Sequence, residues 1–217
     1  ERSFAANAAH ELRTPLAGAI AQAQRLQSET TDLKAKARAA EMEVTLKRLT
    51  RLSERLMQLA RAEGGRLRQN HASDLRPIAQ ILTEEFSRLA GQGRILLQLP
   101  ATPLLSDLDP DIFAIIYRNL VDNALRHGAD DWPVQVSLTN DGMLTVANDG
   151  PTLPAELLNR LTDRFERLDH DADGSGLGLS IVNSVAERMG SKLWLQSPRL
   201  GHDSGFQASI RVSLSTS

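Results

Sequence analysis

The chain has no cysteine among its 217 residues. Disulfide staples and thiolate metal sites are therefore excluded, which fits a reducing compartment. It also lacks an excess of positive charge. Its 25 lysines and arginines stand against 27 aspartates and glutamates, for a formal net charge of −2. That leaves no field for nucleic acid and no polybasic patch for a membrane surface. No apolar run approaches the roughly 18 residues that a membrane span requires, and no secretory leader is visible. Between residues 1 and 63 the helix breakers are almost missing, with Gly18 and Pro15 the only glycine and proline. The chain opens at Glu1, without a methionine, directly into a helical pattern. It reads as a piece of something longer, so any membrane anchor of the parent is expected in a missing N-terminal part.

What is present is ordinary for a globular protein: 41% hydrophobic and 24% charged residues, with length for one large domain or a small one plus a medium one. Good helix formers dominate residues 1–63. Leu12, Leu16, Ala19, Ala23 and Leu26 recur at helical spacing, and Leu49, Leu52, Leu56 and Leu59 form a second seam. The polar stretch 28–34 between them predicts a hairpin loop, and Gly64-Gly65 predicts the end of the second helix. Two helices cannot bury both apolar stripes by themselves, whereas two copies of the hairpin can, as a four-helix bundle. A homodimer is expected.

From about residue 71 the pattern changes. Asp74 to Ala90 predicts an amphipathic helix with Ile78, Ile81, Leu82, Phe86 and Leu89 inward, and 94–99 predicts a strand. Asp109 is placed to cap a helix from Pro110 to His127. Val134–Thr139 and Met143–Ala147 predict strands joined by Asn140-Asp141-Gly142. A helix over 177–189 and a closing hairpin over 191–196 and 206–214 follow, with Phe206, Ala208, Ile210, Val212 and Leu214 alternating on one face. Trp132 and Trp194 read as core or rim packing. The sum is an α/β sandwich, with helices over one face of a sheet.

Two groups of residues carry chemistry. The first is His10-Glu11-Leu12-Arg13-Thr14-Pro15-Leu16. Proline inside a helix removes a backbone donor and crowds the carbonyl of Glu11, at about 3 kcal/mol in an exposed interior. A kink or loosening one turn past His10 is expected. Neutral imidazole is a nucleophile toward a phosphoryl group. As one ring nitrogen attacks, the other must lose its proton, and Glu11 is the nearest carboxylate to accept it. Residues 3–16 resemble the H-box of sensor histidine kinases. The resemblance implies His10 as phosphoacceptor, Glu11 as general base, and Thr14 as the residue that orients water for dephosphorylating the partner. Thr14 lies one turn from His10, on the same helix face.

The second group lies in the helix 110–127 and beyond. Asn119, Asn123 and Arg126 form a polar stripe at i, i+4 and i+7. An amide oxygen is a hard ligand suited to Mg²⁺, with phosphate oxygens completing the shell, and Arg126 is one turn on, within reach of a phosphate. His127 lies close by; His71, His170 and His202 read as surface residues. Residues 119–127 resemble the N-box of the same family, which implies Asn123 as the metal ligand. Asn148-Asp149-Gly150-Pro151-Thr152 resembles its first glycine box with two departures: Asn148 occupies the adenine-binding aspartate position, and Thr152 occupies the second glycine position. The Asn148 amide oxygen is able to accept from the adenine amino group, more weakly than a carboxylate. Asp149, after a local backbone shift, is the alternative. Arg164-Phe165-Glu166-Arg167 resembles the F-box, and the polar stretch after it suits a lid over nucleotide. Gly174, Ser175, Gly176, Leu177 and Gly178 open a helix whose free N–H groups suit phosphate.

The order of these boxes resembles the Bergerat ATPase fold shared with DNA gyrase, and the H-box selects the kinase from that set. The expected architecture is α + α/β: a helical hairpin at 1–65 that forms a dimeric four-helix bundle for dimerisation and histidine phosphotransfer, a linker at 66–73, and an ATP-binding catalytic α/β sandwich at 74–217. The expected function is ATP- and Mg²⁺-dependent autophosphorylation of His10, then transfer to an aspartate of a response-regulator receiver domain, with dephosphorylation of that regulator. The expected setting is the cytoplasmic portion of an inner-membrane receptor. The alternatives are a regulator phosphatase with weak kinase activity and a non-catalytic dimeric scaffold.

Overall fold

The computed structural model describes residues 2–162 and 176–215, with side chains for all of these except 2–11, 13 and 159. They fall into two compact units, 2–64 and the rest.

The first unit is a helical hairpin of α1 (Arg2–Glu29) and α2 (Leu33–Gly64). Helix α1 is assigned without a break through Pro15, where the sequence predicts a kink or loosening. The turn is short because polar side chains satisfy its free backbone groups. Thr30 Oγ1 accepts from Asp32 N–H at 3.2 Å, and Asp32 Oδ1 accepts from Lys34 N–H at 2.8 Å, capping α2. One carboxylate stitches the helices together. Glu43 accepts from Gln24 and Gln27 of α1 at 2.8 and 2.7 Å, with Lys47 at 2.8 Å. These partners, Lys47 foremost, hold the Glu43 carboxyl at about 2. Ala23 and Ala39 are buried, while Leu12, Leu26, Met42, Leu49 and Leu56 are exposed in the single chain.

The second unit is an α/β sandwich. Its five-stranded sheet has the order β2-β4-β5-β7-β6, from β2 (Ile95–Gln98), β4 (Val134–Leu138), β5 (Met143–Asn148), β6 (Leu193–Gln196) and β7 (Phe206–Arg211). The β2–β4 pair is parallel and the remaining pairs are antiparallel. Period-two alternation faces the sheet: Val134, Val136 and Leu138 are buried while Gln135 is exposed. Against them pack α3 (Leu75–Ala90), α4 (Pro110–His127) and α6 (Gly178–Arg188). Phe113, Ile116, Tyr117, Leu120 and Val121 of α4 form the centre of the core with Ile181 and Val185 of α6. Helix α4 begins where the sequence places it, with Asp109 accepting from Asp111 N–H at 2.8 Å and Pro110 in the first turn. Helix α3 is tied to α4 by Thr83 on the Tyr117 hydroxyl at 2.5 Å and by a two-pronged Arg118–Glu85 ion pair at 3.0 and 2.6 Å.

Three details differ from the sequence reading. The buried edge of α3 is Leu75, Ala79 and Leu82, whereas Ile81 and Leu89 are exposed. Leu82 is buried as expected and Ile78 and Phe86 are half-buried, and Asp74, the N-cap, anchors the helix start to the Leu104 N–H as well as to Arg76. Residues 68–74, most of the expected linker, form strand β1 (Arg68–Asp74), antiparallel to β3 (Leu105–Leu108). A short helix α5 (Ala155–Arg160) follows the glycine turn. Trp132 and Trp194 are partly exposed, which is the rim alternative of the sequence reading.

Candidate functional site

Helix α4 carries the first part of the site on its C-terminal half. Its polar stripe is graded by depth. Asn119 is 1% exposed, and its amide nitrogen donates to the Ile115 carbonyl at 2.7 Å. Asn123, one turn on, is half-buried, and no hydrogen bond of its amide occurs among the described residues. Arg126 is exposed and pairs with Asp122 at 3.4 Å. His127 is exposed at the helix end. Buried depth thus holds Asn119 in place, and Asn123 is the amide left presentable to a ligand.

Where α4 ends, the chain passes against the turn after β5. Gly128 closes the helix with its N–H on the Ala124 carbonyl at 2.9 Å. A side chain at Gly128 would come within 3.0 Å of the Asn148 Cβ and 2.5 Å of the Ala124 carbonyl oxygen. The next residue, Ala129, donates its N–H to the Asp149 carbonyl at 2.9 Å. Arg94 grips the same loop by donating to the carbonyls of Ala129, Asp130 and Trp132.

Asn148 ends β5 and is 4% exposed. Its amide nitrogen donates to the Asp149 carbonyl at 3.0 Å, while its amide oxygen is buried with no partner among the described residues. A buried acceptor without a donor costs about 1–3 kcal/mol, so this atom suits a ligand N–H. The carboxylate of Asp149 is engaged elsewhere. It accepts from the Ser204 hydroxyl at 2.5 Å and from Gly150 N–H at 2.9 Å. Ser204 first, then Gly150 N–H, lower its pKa, and the positive charges of Arg199 and His202 add to this. Gly205, at φ +84°, passes so near that a Cβ there would lie 2.4 Å from the Asn148 carbonyl oxygen. Gly150 sits against the His127 carbonyl.

Gly176, at φ +65°, leads into Leu177 and Gly178 at the start of α6. Leu177 is fully buried and anchors the turn, and no side chain caps the helix, which leaves its first N–H groups for an anion. Arg164, Arg167, Gly174 and Ser175 lie outside the described residues, as do the side chains of His10 and Glu11. The backbone of His10 and Thr14 falls within α1, and Thr14 is exposed.

The structure therefore gathers α4, the β5 turn and Gly205 around Asn148. Gly128, Gly205, Ser204 and Arg94 were not singled out in the sequence. The pairs His127-Gly128 and Ser204-Gly205 carry a turn signal for the two glycines, but no local pattern marks the contact each makes with Asn148 or Asp149.

Two family models match the chain. Residues 1–65 match the His Kinase A (phospho-acceptor) domain, and residues 108–216 match the histidine kinase-, DNA gyrase B-, and HSP90-like ATPase family. The chain is 33% identical to the sensor protein QseC of Escherichia coli (strain K12) over 97% of its own length and 47% of that protein. It is 32% identical to the sensor protein BasS of the same strain over 98% of its length and 58% of that protein. The chain thus spans about half the length of the curated relatives it matches. Among solved structures, full-length ShkA in complex with AMPPNP superimposes with a TM-score of 0.69 at 20% identity, over 99% of this chain and 46% of that one. The cytoplasmic segment of QseC gives 0.52 at 24% identity, over 78% and 95%. These superpositions are likenesses of fold.

Proposed function

The chain belongs to the sensor histidine kinases, and on that premise we propose that it binds ATP through Asn148, autophosphorylates on His10 and passes the phosphoryl group to an aspartate of a receiver domain. The observation that carries the ATP part is the Asn148 amide oxygen, a buried acceptor lacking a donor, which the 6-amino group of adenine would supply. The likeness of residues 1–65 to a phospho-acceptor domain supports the histidine part.

In this reading a His10 ring nitrogen attacks the γ-phosphorus in line, the bond from that phosphorus to the β,γ-bridging oxygen breaks and ADP leaves, while Glu11 takes the proton from the other ring nitrogen. Asn123, Arg126, His127, Arg164 and Arg167 line the nucleotide with Asn119 buried beneath Asn123 as its support, Asp149 and Gly150 form the turn beneath the base, and Gly174, Ser175, Gly176, Leu177 and Gly178 cradle the phosphates. Asn123 would hold Mg²⁺. Among the described residues no cluster of three acidic, histidine or cysteine side chains is able to bind a metal. A single amide oxygen plus phosphate oxygens fits a cation that binds through few protein ligands. The ion would supply charge neutralisation along the phosphates.

Residues 1–65 are assigned to dimerisation and phosphotransfer and 74–217 to nucleotide binding. The exposed leucines of the hairpin support a homodimer, and the chain's spanning about half the length of sensor-protein relatives supports a longer parent, anchored in a membrane, whose cytoplasmic portion this is. The exposed position of Thr14 supports a second activity, dephosphorylation of the same regulator. Incubation with γ-labelled ATP and Mg²⁺ tests the kinase. Acid-labile label on the chain that is lost in His10→Ala is expected, and label retained by that variant overturns the assignment.

A further inference from the structure

We propose that Arg199 is a positioning residue of the nucleotide site: its buried guanidinium holds the Asp149 carboxylate, and through it the glycine turn that follows Asn148. The inference rests on the ATP reading above and concerns a residue with no part in that reading. Arg199 lies in the β6–β7 connection, residues 197–205, which is laced to the turn by hydrogen bonds. Gly205 N–H donates to the Gly150 carbonyl at 2.8 Å. The Ser197 hydroxyl accepts from Leu153 N–H at 2.8 Å and donates to the Gly205 carbonyl at 2.7 Å. Pro198, Leu200, Gly201, His202 and Asp203 are all exposed, yet Arg199 among them is only 5% exposed. The connection turns its one arginine inward.

Arginine is almost never buried unless paired, and an apolar side chain would fill the same space at less cost. Here the Arg199 Nε is buried with no hydrogen-bond partner among the described residues. What lies beside the side chain is Asp149. Arg199 Cδ and Asp149 Cα are each 3.2 Å from the point that a Gly205 Cβ would occupy. With water largely excluded, attraction between opposite charges reaches beyond hydrogen-bond distance. The Ser204 hydroxyl foremost, then Gly150 N–H, lower the Asp149 pKa; burial opposes them, and the charges of Arg199 and His202 lower it further. An ionised carboxylate is the stronger acceptor for Ser204 and Gly150, so the turn is held best while Asp149 is charged. Other titratable groups nearby meet the turn differently. The His127 carbonyl lies against Gly150. Arg94 and Asp130 act at the loop whose Ala129 N–H holds the Asp149 backbone carbonyl.

Calorimetry of the full chain with ADP and Mg²⁺, from pH 8 down to pH 4.5, tests this. A His202→Gln parent is used so that no second cation titrates beside Asp149. Removing the Arg199 charge raises the Asp149 pKa, so protonation begins at higher pH. The ratio of the Arg199→Met Kd to the parent Kd is expected to rise about tenfold from pH 8 to pH 4.5, as for a shift of one to two pH units. Titration of the nucleotide itself cancels in that ratio. Arg199→Lys keeps the charge and is expected to follow the parent. Asp149→Asn, introduced into both chains, is expected to abolish the rise. A ratio flat with pH, or an equal loss in Arg199→Lys, overturns this inference and leaves the ATP reading standing. A rise that survives Asp149→Asn overturns the action through that carboxylate. If Arg199→Met and Arg199→Gln both fail to fold by circular dichroism while Arg199→Lys folds, Arg199 serves stability and the positioning role is overturned. A folded parent that binds no ADP overturns the ATP reading and this inference with it.

Discussion

At the scale of single residues, the surroundings of Asn148 depend on Gly128 and Gly205, where no side chain fits. Gly205 adopts φ +84°, and a Cβ there would fall 2.4 Å from the Asn148 carbonyl oxygen. Gly205→Ala therefore combines left-handed strain of about 1–2 kcal/mol with a backbone clash. A lowered unfolding midpoint together with lost ADP binding is expected by thermal melts and calorimetry. Wild-type values for both would contradict the packing described. Tyr117 is a different case. Its ring is fully buried, and burial pushes the hydroxyl to about 12, with the Thr83 bond opposing in part. Tyr117→Phe keeps the ring and loses one bond, so a cost of about 1 kcal/mol in urea denaturation is expected. A loss of several kcal/mol would mean that the α3–α4 contact rests on that hydroxyl.

At the scale of elements, helix α3 shows how one carboxylate orders a segment. Asp74 caps the helix, pairs with Arg76 at 2.8 Å and accepts from Leu104 N–H at 3.0 Å. The Arg76 guanidinium foremost, with these N–H groups, lowers its pKa from an ordinary 3.8 to about 2. A folded-state value below the unfolded one contributes stability above pH 4 that is lost as the pH falls toward 2. Asp74→Asn retains a good N-cap residue but removes the charge. It is expected to be less stable than wild type by about 1 kcal/mol at pH 6, after allowance for partial exposure. The gap should close toward pH 2. Urea midpoints at pH 6, 4 and 2.5 check this, and a gap independent of pH would contradict it.

Elements also mark where sequence reasoning succeeded. Helix α4 was legible to the residue because its signals are local: Asp109 and Pro110 at the start, and a run of apolar residues at helical spacing. The β4–β5 hairpin was legible for the same reason, with Asn140-Asp141-Gly142 between alternating strands. Strand β1 was not. Its sequence, Arg-Gln-Asn-His-Ala-Ser-Asp, has no apolar alternation, and it is a strand only because β3 lies beside it. On α3 the expected face held at Leu82, Ile78 and Phe86, whereas Ile81 and Leu89, apolar like the others, are exposed because they flank that face.

At the scale of the whole molecule, the hairpin exposes Leu12, Leu26, Met42, Leu49 and Leu56 in one chain, more apolar surface than a stable two-helix unit carries alone. Leu49→Glu combined with Leu56→Glu is expected to convert a dimer to a monomer in sedimentation equilibrium. The unchanged second unit should still bind ADP. Persistence of the dimer would place the interface elsewhere. By itself the sequence determined the class of each part, because the helical seams, caps, turn residues and the order of the boxes are encoded within a few neighbouring positions. Only the tertiary structure decided which of two neighbouring side chains keeps a buried acceptor without a donor among the described residues. Asn148 and Asp149 are adjacent and nearly isosteric, and their surroundings separate through Ala129, Gly128 and Ser204, which reach them from other segments of the chain. Such contacts depend on how distant backbone segments pack, which local periodicity does not carry.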